Sequence, residues 1–401
     1  MADKPKRPVN VRRPEVMEAV QDDLGAYCSM LVDDIRARGN VLRLENLHLY
    51  LASSFGFCDG VRRAIEIAYA THHLFKGKRI WLIGEIIHNP DVNARLDALG
   101  LLHLPWNLND PLYAQLGEED VVIIPAFGVP VPMRRALEER GVQLVDSTCG
   151  NVIKVWNRVK NYAAAGVTSI IHGKAKHEET VATASQTCRE GGSGHFLILS
   201  NETEARLVAD YIAGRGEKES FVEVFGSRCS EGFNPDVHLR EIGIANQTTM
   251  LKSETSRIQE LLRAAVVGRD GNDDRFHAFD TICNATQDRQ NALFELLDKD
   301  LDAMMIVGGY NSSNTTHLAT IAAERVRTYF IKSAASLIST EDMCCYNFET
   351  RTEEHCPLPS GTGDRNRVLH IGLTAGASCP DNVIEQVIRR LAELRGCPLS
   401  L

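Results

Sequence analysis

No apolar stretch approaches the length needed to cross a bilayer, and no apolar segment follows the basic, proline-containing start MADKPKRPVNVRRPEV. Neither a membrane span nor a secretory leader is therefore expected. A basic excess is missing as well: the net charge is −9 and the pI about 5.8, which removes the electrostatic footprint of a nucleic-acid binder. GxGxxG and GxxxxGKS are absent, so a nucleotide is not the expected ligand. HEET is not HExxH, and no PCxxC accompanies it, which excludes zinc protease and zinc deaminase chemistry. The eleven cysteines are odd in number and follow no periodic framework. They argue against a disulfide scaffold and for a reducing compartment, the cytoplasm.

What is present is a chain of 401 residues, 44% apolar and 24% charged, long enough for two or three domains with a buried core. Residues 1–45 read as an N-terminal extension, a basic start followed by one helix from Pro14 to Arg38. Beyond it, β and α signals alternate, predicting an α/β fold with mainly parallel sheets and crossover helices. Strands are expected at 79–87, 120–128, 167–173, 195–200, 303–309 and 367–376. Three α/β lobes, 46–145, 146–275 and 276–401, are the simplest arrangement. The polar segment 341–367, with Cys344, Cys345, His355 and Cys356, breaks the rhythm. Adjacent cysteines lack zinc-ligand spacing, so a mobile surface insertion is expected there.

Each expected lobe carries one cysteine in the same setting. Cys58 in GFCDGV, Cys149 in DSTC and Cys283 in DTIC all sit where a strand-like run gives way to a helix-like one. After Cys149, Val152, Val155, Trp156 and Val159 follow the helical period. A thiol at a helix start meets unpaired amides and the positive dipole end, which favours the thiolate that binds metal. Any one of them alone is more often a buried structural cysteine. Three in one context favour a shared metal site, and their wide separation leaves the fold to assemble it.

Polar residues cluster at other strand ends. Asn311, Ser312, Ser313 and Asn314 follow the run AMMIVGG, at the edge where open α/β sheets bind ligands. Hydroxyls, amides and helix N-terminal amides suit a phosphate, although such turns are also ordinary N-caps. His88 in EIIHN follows another strand, and His177 and Glu179 lie in HGKAKHEET. A histidine can donate to an anion and a nearby carboxylate can move a proton. Singly, a surface turn histidine and a first-turn helical acid are the blander readings. Gln247, Thr248 and Thr249 after IGIAN, and Ser378 in TAGAS, add hydroxyls at strand ends.

Taken together, GFCDGV, EIIHN, DSTC, HGKAKHEET, NQTT, DTICNAT, NSSN and TAGAS, in this order across residues 50–395, resemble the 4-hydroxy-3-methylbut-2-enyl diphosphate reductase family, also called LytB or IspH. PAFG, KVWN and HEETVATAS are similar to its plant and cyanobacterial branch. The resemblance implies an oxidoreductase of the non-mevalonate isoprenoid pathway, with the lobes around a central [4Fe-4S] cluster. Cys58, Cys149 and Cys283 match the three cluster ligands, which leaves one iron open. The family's reaction cleaves the C–O bond of an allylic diphosphate alcohol, with two electrons and two protons, to isopentenyl and dimethylallyl diphosphate. Glu179 matches the proton-delivery acid and Thr248 the relaying hydroxyl. His88, His177, Ser312, Ser313, Asn314 and Ser378 match substrate contacts. The implied electron donor is of ferredoxin or flavodoxin type.

Two positions depart from the family pattern. Phe127 stands where the enteric branch has the histidine of SAHG, and Gly150 where proline usually follows the second cysteine. A non-catalytic iron–sulfur carrier or redox sensor would explain the cysteines but not the phosphate-suited donors. A three-cysteine zinc hydrolase, or a family member with another diphosphate substrate, are further alternatives.

Overall fold

The computed structural model describes residues 9–187, 194–279, 282–348, 350–359, 364, 366–397 and 399. The first eight residues of the expected extension, Asp280 and Thr281 of the DTIC motif, and positions 349, 360–363 and 365 of the expected insertion lie outside these. Compactness divides the chain into two units, neither continuous in sequence. The first takes the described residues of Met1–Asn10, Gly77–Gly84 and Leu102–Cys283, the second those of Val11–Lys76, Glu85–Leu101 and Asn284–Leu401.

The first unit holds two four-stranded sheets, parallel throughout. One orders Leu102–Leu104, Ile80–Ile83, Val121–Ile124 and Gln143–Asp146. The other orders Phe276–His277, Ile242–Asn246, Thr168–His172 and Phe196–Leu199. IWLI, VVII and IGIAN are buried at every position, as expected of parallel strands covered on both faces. Ile170, Leu197, Leu199, Ile242 and Ile244 pack against Val208, Phe225 and Leu262 from the flanking helices. Trp81, Ile83, Val122 and Ile124 pack with Met133 and Leu137 in the same way.

A five-stranded sheet organises the second unit, in the order Val41–Arg43, Leu47–Leu51, Leu369–Ala375, Ala303–Val307 and Thr328–Ile331. Only its first pair is antiparallel. The helix Asp381–Leu394 buries Val383, Ile384, Val387, Ile388 and Leu391, one stripe at helical spacing. Mainly parallel sheets, as read from the β/α alternation, are what the chain builds, and each of the six expected strand regions contains one.

Two local expectations are corrected. The single helix from Pro14 to Arg38 is three, Pro14–Ala19, Gln21–Gly25 and Met30–Ala37. Ser29 restarts the last by accepting from Val32 N at 3.0 Å, an N-cap that competes with helix continuation. These helices are packed into the unit: the Tyr27 and Tyr69 hydroxyls are 2.9 Å apart, and Arg36 pairs with Asp381. The segment read as a mobile insertion carries an antiparallel hairpin, Met343–Tyr346 with Glu353–Cys356. Tyr346 and Phe348 stack around Phe330, and a Cys345–Cys356 disulfide joins the two arms. That pairing removes two of the four ligands a local zinc site would have used. Among the described residues no helix is long and apolar enough to cross a membrane.

Candidate active site

In the first unit, strand ends deliver five motifs to one neighbourhood. The strand Gln143–Asp146 ends in DSTC, where Asp146 accepts from Thr148 N at 3.0 Å and from its hydroxyl at 2.6 Å. Burial opposes the Asp146 charge, yet the Thr148 hydroxyl and the Arg134 guanidinium hold its carboxyl below the usual range. The turn so fixed makes Cys149 the N-cap of the helix Gly150–Ala165. Cys149 N donates to Ala126 O at 2.8 Å, and the residue packs with Val152, Trp156 and Ala182. Gly128 follows in PAFG with φ +76°, where a Cβ would lie 2.3 Å from the Trp156 ring, so only glycine lets the loop close on that helix.

His177 caps the helix Glu178–Ser185, its Nδ1 accepting from Glu179 N at 3.1 Å. Glu179 is buried and takes two hydrogen bonds from one residue of the next loop. Thr248 N donates to Oε1 at 2.6 Å and the Thr248 hydroxyl to Oε2 at 3.1 Å. Gln247 ties the same loops together, its Oε1 accepting from Lys174 N and from the Thr180 hydroxyl. Cys283 N donates to Thr248 O at 3.3 Å, which brings the third cysteine to this pair. Phe127 meets the His177 ring edge-on, with centroids 6.4 Å apart. Gly150 begins its helix with nothing within 4 Å of where a Cβ would stand. The helix forms without the proline expected there.

In the second unit the remaining predicted residues converge. Cys58 is the N-cap of the helix Asp59–Leu74, and its N donates to Ala377 O at 3.2 Å. Ala377 N in turn donates to Asn314 Oδ1 at 2.9 Å. The Ser378 hydroxyl donates to His88 O at 3.1 Å and lies 3.5 Å from Ser312 Oγ. Ser312 caps the helix Ser313–Ala323. Ser312, Ser313, Asn314 and Ser378 are all buried. Among the described residues, the Ser313 hydroxyl and the Asn314 Nδ2 are buried donors without a hydrogen-bond partner. Such groups are costly unless something else satisfies them.

Cys58, Cys149 and Cys283 are half-buried and take part in no disulfide. Burial instead pushes the Cys229 thiol up to about 12 and raises the Cys379, Cys344 and Cys397 thiols, which disfavours their metal-binding form. Sequence reasoning missed Glu85, whose Oε2 lies 3.1 Å from His88 Nδ1 and accepts from Asn311 Nδ2 at 2.9 Å. The available signal was a carboxylate three residues before the histidine at a strand end.

Known proteins are similar to this chain in fold and in sequence. The solved structure of the E-1-hydroxy-2-methyl-but-2-enyl-4-diphosphate reductase from Plasmodium falciparum has a TM-score of 0.62 and 22% identity, covers 86% of this chain and 87% of that one, and supports the fold alone. A solved (E)-4-hydroxy-3-methyl-but-2-enyl diphosphate reductase, at 26% identity and a TM-score of 0.52, covers 87% of this chain and 99% of that one. The 4-hydroxy-3-methylbut-2-enyl diphosphate reductase of Gloeobacter violaceus is 44% identical over 94% of this chain and 90% of its own length. That of a Synechococcus species is 45% identical over 92% and 91%. The profile of the LytB protein family matches residues 49–392, which takes in every strand-end motif described above, and the chain belongs to that family.

Proposed function

We propose that the protein reduces 4-hydroxy-3-methylbut-2-enyl diphosphate, the substrate in the names of its relatives, and that the products are isopentenyl and dimethylallyl diphosphate. The observation that carries the reading in this chain is the pair of buried, unpartnered donors, Ser313 Oγ and Asn314 Nδ2, in a loop already lined by Ser312 and Ser378. A diphosphate supplies the acceptors these groups lack. His88 and His177 are further substrate contacts in this reading.

The residues present fit an iron–sulfur cluster. Cys58, Cys149 and Cys283 are half-buried, lie outside any disulfide and each directly precede a helix, and we assign them as the three thiolate ligands of a [4Fe-4S] cluster. When bound, such a cluster supplies electron transfer and a Lewis-acidic iron. The chain's own residues would handle the protons. Glu179, buried and accepting from both the amide and the hydroxyl of Thr248, is the proton-delivery acid in this reading, and Thr248 relays the proton toward the substrate. The C–O bond breaks and two electrons enter. One proton leaves with the hydroxyl as water, and the other adds to either end of the allylic carbon unit. An external carrier of ferredoxin or flavodoxin type supplies the electrons. Three thiolate ligands favour a reducing compartment, for which we propose the cytoplasm, although the Cys345–Cys356 disulfide runs against it.

Anaerobic turnover of the substrate by reconstituted protein with a low-potential donor tests the reading, with both products and the iron and sulfide content measured. Formation of both products is expected, and Cys149→Ala is expected to lose stable cluster. A loaded cluster with no turnover would overturn the assignment of activity, and full iron content in Cys149→Ala would overturn the ligand set.

A further inference from the structure

Glu85 has no part in the function proposed above, yet it stands behind one of its substrate contacts. Its Oε2 is 3.1 Å from His88 Nδ1 and accepts from Asn311 Nδ2 at 2.9 Å. Asn311 Nδ2 also lies 3.3 Å from His88 Nδ1, so two donors compete for one arrangement. An ionised carboxylate is the stronger acceptor, and a charge-assisted bond from Nδ1–H is favoured over an amide donating to a ring nitrogen. This choice places a proton on Nδ1 and turns Nε2, across the ring, away from the carboxylate.

The backbone around the pair is equally constrained. His88 O accepts from Ser378. A Cβ at Gly309 would lie 2.7 Å from His88 O, so the loop carrying Asn311 approaches His88 as closely as glycine allows. Main chain and ring are thus fixed by different groups, the first by Ser378 and Gly309 and the second by Glu85 with Asn311.

We infer that Glu85 is a positioning residue for the diphosphate: it accepts from Nδ1–H and so fixes the ring orientation of His88, leaving the opposite nitrogen, Nε2, to donate to the anion. The inference rests on the reading of His88 as a substrate contact. A carboxylate three residues from an anion site would repel the ligand if it faced it. On the far side of the imidazole it instead compensates the positive ring that donating from both nitrogens requires.

The test uses cluster-loaded protein under anaerobic conditions, measuring the Kd of inorganic diphosphate by calorimetry together with KM and kcat. Glu85→Ala is expected to weaken diphosphate binding and raise KM by roughly tenfold, the scale of one orienting hydrogen bond, with kcat nearly unchanged. Glu85→Gln keeps an acceptor for Nδ1 and for Asn311 but not the charge, and is expected to recover part of the loss. Should Glu85→Ala fold poorly, Asn311→Ala removes the carboxylate's second anchor and is expected to raise KM in the same direction. Unchanged Kd and KM in Glu85→Ala, or no recovery in Glu85→Gln, would overturn the inference while wild-type turnover leaves the functional reading standing. Wild-type protein that neither binds diphosphate nor turns over substrate would remove both.

Discussion

In the second unit, the loops after Ala303–Val307 and Leu369–Ala375 gather neutral donors: Ser312, Ser313, Asn314 and Ser378, with two donors left without partners among the described residues. In the first unit, the loops after Thr168–His172 and Ile242–Asn246 gather around one buried carboxylate, Glu179, which accepts from both donors of Thr248. Both stand beyond the ends of parallel strands, where backbone and helix termini leave room for polar groups. The difference teaches that position in an α/β fold selects where chemistry occurs, and the side chains decide which. Several neutral donors, two of them without partners among the described residues, suit holding an anion. A single dehydrated carboxylate tied to a hydroxyl suits holding and releasing a proton.

The sharpest way to separate the two clusters is Glu179→Gln. If Glu179 is the proposed proton donor, turnover should fall by a factor on the order of 10² to 10⁴ while diphosphate binding persists. Anaerobic kcat and KM decide it, and near-normal kcat would take Glu179 out of the proton path.

A buried carboxylate with a purely structural role calibrates that result. Asp120 is 1% exposed and accepts from Arg79, Trp81 Nε1 and Gly117 N. Burial works against its charge, but those bonds from Gly117, Arg79 and Trp81 hold its carboxyl below the usual range. Its stabilisation is therefore complete above the ordinary carboxylate pKa and is lost as pH falls through the lowered folded value. Asp120→Ala should destabilise the fold by about 3 kcal/mol, leaving donors without an acceptor, yet leave kcat of the folded protein unchanged. Chemical denaturation at neutral and acidic pH checks this, with a smaller difference expected at the acidic end.

Asn314→Ala probes the opposite cluster. Diphosphate affinity should drop by about tenfold with little change in kcat, the reverse of the Glu179 pattern. A kcat defect equal to that of Glu179→Gln would erase the division of labour. The smallest effect is expected from Gly150→Pro. The position opens a helix, has free space around its Cβ, and follows an extended Cys149. Proline there should change stability by less than about 1 kcal/mol and leave cluster content intact, measured by thermal melting and iron analysis.

Much of this was legible in the chain. Strand cores such as VVII and IGIAN are continuous apolar runs, and strand burial requires nothing more. The helix after Cys149 announced itself through Val152, Val155, Trp156 and Val159, all buried as the period demands. The hairpin at 343–356 was less legible, because its stability draws on Phe330 and Tyr310, aromatic residues that precede it in the chain. The break before Ser29 was hidden for a related reason: an N-cap serine and a solvated mid-helix serine look alike until the backbone turns.

By itself the sequence determined which residues would stand at strand ends, because hydrophobic period and turn chemistry are local properties. It thereby determined the three cysteine contexts, the NSSN and TAGAS donors, and the HEET and NQTT loops as separate candidates. Only the tertiary structure decided which candidates meet. Pairing of Leu47–Leu51 with Leu369–Ala375 links the Cys58 loop to TAGAS, and pairing of Thr168–His172 with Ile242–Asn246 sets Thr248 on Glu179. Strand order in a parallel sheet depends on crossover connections and on how helices cover both faces, which are properties of the packed whole and leave no local mark in the sequence.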